Sequence, residues 1–100
     1  MRLFVDGNEI ALPKSIPFVD DSFDLNTEFN GWVRSFNTQP KNSPSKIQNS
    51  AYYKQMGFNS GDGTCLELAI TLLDESKNVI PHIYLRAKAF NRWGDWKLIN

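Results

Sequence analysis

The last third of the chain alternates apolar and polar residues with a period of two. One run covers residues 64–73 and a second covers residues 78–90, with the polar turn Asp74-Glu75-Ser76-Lys77 between them. A period of two is typical of β-strands, because successive side chains of a strand point to opposite faces of the sheet. A third run, residues 96–99, follows a further turn. The pattern predicts an antiparallel meander over residues 64–99.

The predicted facing of this meander assigns a binding surface. Leu68, Leu85 and the other apolar positions of their strands are expected to face the core, because burial of apolar area drives folding. The turn is expected to place Leu73 opposite Asn78. In the second run, residues 78–90, the positions between the apolar residues would then point to solvent. Aromatic and arginine side chains that lie together are enriched in protein interfaces. The residues predicted to bind a partner are therefore Tyr84, Arg86, Lys88, Phe90, Arg92 and Trp93.

A first hairpin is predicted over residues 2–12. Asp6-Gly7 suits a two-residue turn, because both of its positions need a positive φ, and this turn pairs Leu3 with Ile10. A turn at the next dipeptide would set Asp6 directly against Glu9, and like charges opposed across strands are unfavourable. The Asp6-Gly7 turn is therefore preferred.

A second hairpin is predicted over residues 23–36. Residues 23–29 alternate apolar and polar side chains, Asn30-Gly31 follows, and residues 32–36 are again largely apolar. Asn-Gly between alternating apolar runs is the strongest short-range hairpin signal. The two strands would share an aromatic face.

A short helix is predicted within the polar insertion that covers residues 37–63. A loop of that length without structure is unusual in a compact domain. Ser43-Pro44 reads as an N-cap followed by proline at the first helical position. Ile47, Ala51 and Gln55 follow at a spacing of four residues, and Gly57 would be the C-cap. The helix is expected over about residues 44–56.

These elements together predict the fold class. The chain has 100 residues, 41% of them apolar, which suits one domain with a hydrophobic core. We expect a single, mainly β domain over residues 1–100. It would be an antiparallel sandwich or barrel of about seven or eight short strands with one short inserted helix.

Charge and cysteine content narrow the class of partner and the compartment. Eleven basic and eleven acidic residues cancel, whereas a protein dedicated to duplex DNA carries a basic excess, so nucleic acid is a disfavoured but open partner. Cys65 is the single cysteine, which leaves no internal disulfide. The chain has no secretory signal pattern and no apolar run long enough to span a membrane. We expect a cytoplasmic protein, or one assembled into a particle in the cytoplasm.

The residues needed for familiar catalysis are missing from the sequence. His82 and Cys65 form the single thiol–imidazole combination, and the predicted register separates them by ~13 Å along the strands. Asp20, Asp21 and Asp24 cluster, but the spacing of a calcium loop is absent. We therefore expect no enzyme activity, no cofactor and no metal.

The function predicted from the sequence is non-catalytic protein–protein interaction. Within this class, we favour a small phage-type structural protein of a capsid or tail, or an accessory protein that inhibits a host enzyme. The alternative is a ligand-binding β-sandwich for carbohydrate or single-stranded nucleic acid, with Trp93 as the best exposed stacking side chain. A small enzyme is the third hypothesis. The partner's identity and the oligomeric state stay open.

Overall fold

A computed structural model describes residues 15–58 and 61–100, together with the backbone of residues 3–5 and 8–10. Its elements are all β-strands, and this part of the chain contains no helix. The strands are β1 (Leu3–Val5), β2 (Asn8–Ile10), β3 (Phe18–Val19), β4 (Trp32–Thr38), β5 (Asn49–Met56), β6 (Cys65–Thr71), β7 (His82–Ala89), β8 (Arg92–Trp93) and β9 (Lys97–Leu98).

Strands β3 to β9 form one open sheet in the order β3-β4-β5-β6-β7, and both β8 and β9 pair with the far side of β7. All pairings are antiparallel except that of β3 with β4, which is parallel. The prediction of a mainly β, largely antiparallel fold is confirmed. A sandwich or barrel is not found among the described strands, because each contacts only its neighbours within a sheet.

The first hairpin is confirmed in its pairing. β1 and β2 are antiparallel, with Leu3 opposite Ile10 and Phe4 opposite Glu9. The turn at Asp6-Gly7 and the facing of the side chains lie outside the described residues. The two strands contact no other strand of the described chain.

The prediction of a helix over residues 44–56 is wrong, because this segment contains β5. Asn49, Ala51, Tyr53 and Gln55 are buried, and the residues between them are half-buried. That is a period of two. Ala51 and Gln55, four residues apart, fit a helical face and a strand face equally well, so their spacing did not distinguish the two. Pairing with β4 and β6 on both sides decides the conformation.

The prediction of a strand over residues 23–29 is also wrong. Asp24 accepts hydrogen bonds from the Asn26 backbone N–H at 2.9 Å and, through its carbonyl, from the Thr27 hydroxyl at 2.6 Å. Such local bonds compete with strand pairing. Asn30-Gly31 therefore does not form a hairpin, and β4 pairs with β5.

The meander over β6, β7 and β9 is confirmed, with its register shifted by two residues. Arg86 lies opposite Glu67 and Lys88 lies opposite Cys65. The connection is longer than predicted, because residues 72–81 all lie outside the strands. A shift of two keeps every side chain on the face it had, since side chains alternate with a period of two. The predicted facing nevertheless proves wrong, because the polar side of the meander is the buried one.

Candidate functional site

The sheet has two faces with different cover, named here the closed face and the open face. The closed face is covered by the loops that precede β4 and β5, and its core residues are Leu25, Val33, Ala51, Tyr53 and Ala69. None of these core residues belongs to the open face. The open face carries, by register, Phe18, Trp32, Arg34, Tyr52, Lys54, Met56, Leu66, Leu68, Ile70, Ile83, Leu85, Ala87, Ala89, Arg92 and Lys97.

A buried ion pair lies at the centre of the closed face. Glu67 is fully buried and Arg86 is 6% exposed. The Nε of Arg86 donates to Glu67 Oε1 at 2.7 Å, and its Nη2 lies 2.5 Å from the same oxygen. Burial raises the pKa of Glu67, while Arg86 and Gln55 act in the opposite direction. The pair is the one salt bridge among the described residues.

The ion pair belongs to a network that holds the loop before β4 onto the sheet. Arg86 Nη2 and Gln55 Nε2 both donate to the Leu25 carbonyl at 3.0 Å. Gln55 also donates to the Thr27 carbonyl and to Glu67, and it accepts from the Phe29 backbone N–H. The bonds to Leu25 and Glu67 are buried, and those with Thr27 and Phe29 are partly buried. They fix the loop in one position.

Two tryptophans cover the guanidinium of Arg86. Its Cζ lies 4.0 Å from the Trp93 ring centroid and 4.6 Å from that of Trp96. The Trp96 indole N–H donates to the Asn42 carbonyl at 2.7 Å, which joins the C-terminal segment to the loop before β5. Both rings therefore have a structural role on the closed face.

The residues predicted to bind a partner do not form one outward surface. Arg86 is buried, and Tyr84 packs against the core. Lys88 is half-buried with its ammonium 4.7 Å from the Phe58 ring, and Trp93 is half-buried on Arg86. Phe90 is 89% exposed in the turn after β7, and Arg92 is exposed on the open face. The predicted facing is thus wrong for Tyr84, Arg86, Lys88 and Trp93, which lie on the closed face.

An apolar stripe runs along the open face on β6 and β7. It consists of Leu66, Leu68, Ile70, Ile83 and Leu85. Leu66 is 44% exposed, and the other four are half-buried. Next to Leu66 lie Met56, which is also exposed, and Ala87. The chain thus leaves aliphatic side chains on a face that no described element covers.

Cations and aromatic rings border this stripe on the side of β4 and β5. The guanidinium of Arg34 lies 4.6 Å from the Phe18 ring centroid and 5.0 Å from that of Tyr52. The ammonium of Lys54 lies 5.6 Å from the Trp32 ring centroid. These distances are those of cation–π contacts. Neither Arg34 nor Lys54 forms an ion pair with a carboxylate of the described residues.

The opposite border of the stripe is also cationic. Arg92 on β8 and Lys97 on β9 pair with the open-face positions Ala89 and Leu85, and both are exposed. None of the strand residues on the open face is Asp or Glu. Arg34 and Lys54 were not among the residues predicted to bind a partner. The signal was present in the alternation of Trp32 with Arg34 and of Tyr52 with Lys54.

The described residues bring together neither the thiol and imidazole of Cys65 and His82 nor a cluster of metal ligands. His82 lies opposite Thr71 and Cys65 opposite Lys88, which separates the thiol from the imidazole by six positions, or ~20 Å. Burial raises the pKa of Cys65, which disfavours the thiolate. Over the part of the chain that the structure describes, no three His, Cys, Asp or Glu side chains come together as metal ligands. Within the same residues, no helix has the length and apolar content to cross a bilayer.

Comparison of the chain with protein-family models, with curated proteins and with solved structures found no match.

Proposed function

We propose that this protein is a non-catalytic protein–protein interaction module that docks onto a larger partner through the open face. The observation that carries the proposal is the aliphatic stripe of β6 and β7, which lies on a sheet face that none of the described elements covers. Domains are built from at least two packed layers around a core, and within residues 15–58 and 61–100 this sheet has a second layer on one side only. Contiguous apolar patches rimmed by polar residues mark interaction sites.

In this proposal the partner supplies the missing layer. The sandwich predicted from the sequence would then be completed between two molecules. Arg92 and Phe90, which lie on or beside the open face, stay in the proposed surface. A capsid or tail component of a phage-type particle, or an inhibitor of a host enzyme, is the specific form of the proposal, because both act by docking.

Four contacts between cations and aromatic rings favour a protein over carbohydrate or single-stranded nucleic acid. Base and sugar stacking needs free ring faces. Lys54 lies over Trp32 and Arg34 over Tyr52, while Arg86 lies against both Trp93 and Trp96. The centre of the open face is aliphatic and offers no ring for stacking.

The test places a photo-crosslinking amino acid at Leu68, the centre of the stripe. The matched control position is Ile80, an aliphatic residue that is 46% exposed in the loop between β6 and β7. Each chain is expressed in the cells from which the sequence comes, irradiated and resolved by mass. Position 68 is expected to give one discrete protein adduct and position 80 none. The adduct partner is then purified, and Leu68→Asp is expected to weaken its binding at least about tenfold.

Three results would overturn the proposal. One is the absence of a protein adduct at position 68, and another is equal adduct formation at both positions. The third is a crosslink from position 68 to residues 1–14 of the same chain, which would make the chain itself the occupant.

A further inference from the structure

We propose that the occupant of the open face is an acidic amphipathic helix, in contact over about two and a half turns and carrying carboxylates on both sides of its apolar stripe. This inference rests on the proposed function and specifies the chemistry of the partner at that surface. It follows from the shape of the aliphatic stripe and from the sign of the charges on its two borders.

The width of the stripe matches one helix. The stripe occupies two adjacent strands, β6 and β7, and neighbouring strands lie about 4.8 Å apart, so it is roughly 10 Å wide. A helix with its side chains has a diameter of about 10–12 Å. Leu66 to Ile70 spans about 13 Å along the strand, which corresponds to about nine helical residues. A second sheet would extend beyond the aliphatic part onto the charged borders.

The charges on the two borders select an acidic partner. Arg34 and Lys54 lie on one border, and Arg92 and Lys97 lie on the other. No strand residue of this face carries a negative charge. A helix that lies along the stripe would place its flanking positions over both borders. Glutamates at those positions would meet a cation on each side, and lysines would meet like charge.

The same charges disfavour a second copy of the chain. Two open faces packed against each other would bring the four cations of one copy towards the four of the other, without a carboxylate between them. Juxtaposed like charges are costly at an interface. The acidic side chains of the described residues lie in loops and on the closed face, so rotation of the second copy on the sheet does not relieve the repulsion.

The test uses three synthetic peptides of about 14 residues that share one leucine stripe at helical spacing. Their flanking positions are all Glu, all Lys or all Gln, and binding to the full chain is followed by isothermal titration calorimetry at low salt. The Glu peptide is expected to bind at least about tenfold more tightly than the Gln peptide, and the Lys peptide more weakly than both. The affinity of the Glu peptide is expected to decrease as the salt concentration is raised from about 0.05 to 0.5 M.

Charge-reversal variants locate the contact. Arg92→Glu with Lys97→Glu removes two exposed cations that contact no described ring, so folding is preserved while the affinity for the Glu peptide falls about tenfold. Lys54→Glu tests the other border. Lys46→Glu makes the same charge change at an exposed position outside the strands and is expected to leave binding unchanged. The unfolding midpoint of every variant is measured first.

The outcomes separate this inference from the proposed function. Equal binding of the three peptides, or binding that none of the reversals alters, contradicts an acidic partner and leaves docking through the stripe intact. If no peptide binds while Leu68 still crosslinks to a protein, the helix is wrong and the docking surface stands. Both the acidic helix and the proposed function would be overturned if a single-stranded oligothymidylate bound more tightly than the Glu peptide and the charge-reversal variants weakened that binding. A dimer detected by light scattering and crosslinked at Leu68 would make a second copy the occupant.

Discussion

Replacing Arg86 with methionine removes one partner of the buried ion pair and retains most of the aliphatic volume. The Leu25 carbonyl keeps its hydrogen bond from Gln55, so the principal consequence is an uncompensated charge on Glu67. Breaking a buried pair in this way typically costs about 3–5 kcal/mol. Glu67 can escape by taking up a proton, which at pH 7 costs about 3 kcal/mol from its ordinary pKa of 4.5. We therefore expect a loss of about 3 kcal/mol.

The pH dependence of this loss identifies its origin. Burial raises the pKa of Glu67 above 4.5 even beside Arg86, and because Arg86 opposes this effect the pKa is expected to rise further in Arg86→Met. A group with a raised folded-state pKa contributes stability that is complete below the unfolded value and is lost as pH rises through the folded value. The difference between wild type and Arg86→Met is thus expected to be largest at pH 7 and to shrink towards pH 4.5. Urea unfolding followed by far-ultraviolet circular dichroism at both pH values measures it.

Two further variants complete the experiment. In Glu67→Gln with Arg86→Met no charge is buried, so most of the stability is expected to return and its pH dependence to disappear. Arg92→Met removes an exposed cation and should change stability by less than about 0.5 kcal/mol. A loss below about 1 kcal/mol for Arg86→Met at pH 7, or a loss of equal size at both pH values, would refute the reasoning.

Three other perturbations address the closed face, the loop and the thiol. Leu25→Ala should lower the free energy of unfolding in urea by about 2–5 kcal/mol, because the Leu25 side chain is fully buried. Leu68→Ala, on the open face, should lower it by less than about 1.5 kcal/mol. A larger loss for Leu68→Ala than for Leu25→Ala would show that the core lies on the other face. Hydrogen bonds, led by that from the Asn26 backbone N–H, lower the pKa of Asp24, so its stabilising effect is present above 3.8 and is lost as pH falls through the folded-state pKa. Asp24→Asn should therefore lower the melting temperature at pH 6 but not at pH 2, and an equal effect at both would contradict this. Cys65, buried with a raised pKa, should react with a disulfide reagent at least about tenfold more slowly in the native chain than in urea, whereas similar rates would show it to be accessible.

The strands of the last third could be predicted from the sequence because their period of two is regular over both runs. Their facing could not. Burial of apolar residues is a one-way rule, since much of a folded protein's surface is also apolar. In β6 the buried positions are Cys65, Glu67, Ala69 and Thr71, and the leucines face the other side. A strand that buries its polar residues and exposes its apolar ones shows the same alternation in sequence as a strand that does the opposite. The alternation therefore does not tell which set of residues faces the core.

The candidate site was only partly within reach of sequence reasoning. The aliphatic residues of the stripe were identified and assigned to the core. Arg34 and Lys54 were missed because they belong to segments whose pairing was predicted wrongly, and the cationic borders arise only when β4 and β5 lie beside β6 and β7. The register of non-local pairs is set by tertiary contacts, here the hydrogen bonds of Gln55 to a loop more than twenty residues away. No local pattern encodes that contact.

The polarity of the two faces explains how the chain can present an aliphatic surface and still be folded. Hydrogen bonds of Arg86 and Gln55 fix the loops over the closed face, and the small core around Tyr53 and Leu25 supplies the apolar burial there. Neither contribution involves the open face, so we expect the fold to form without a partner on that face. A domain that needed Leu68 and Ile83 for its core would have to bury them and would lose them as a contact surface. The buried ion pair on one side and the partly exposed aliphatic stripe on the other are therefore two parts of one arrangement, in which the contacts that stabilise the fold are separate from the proposed docking surface.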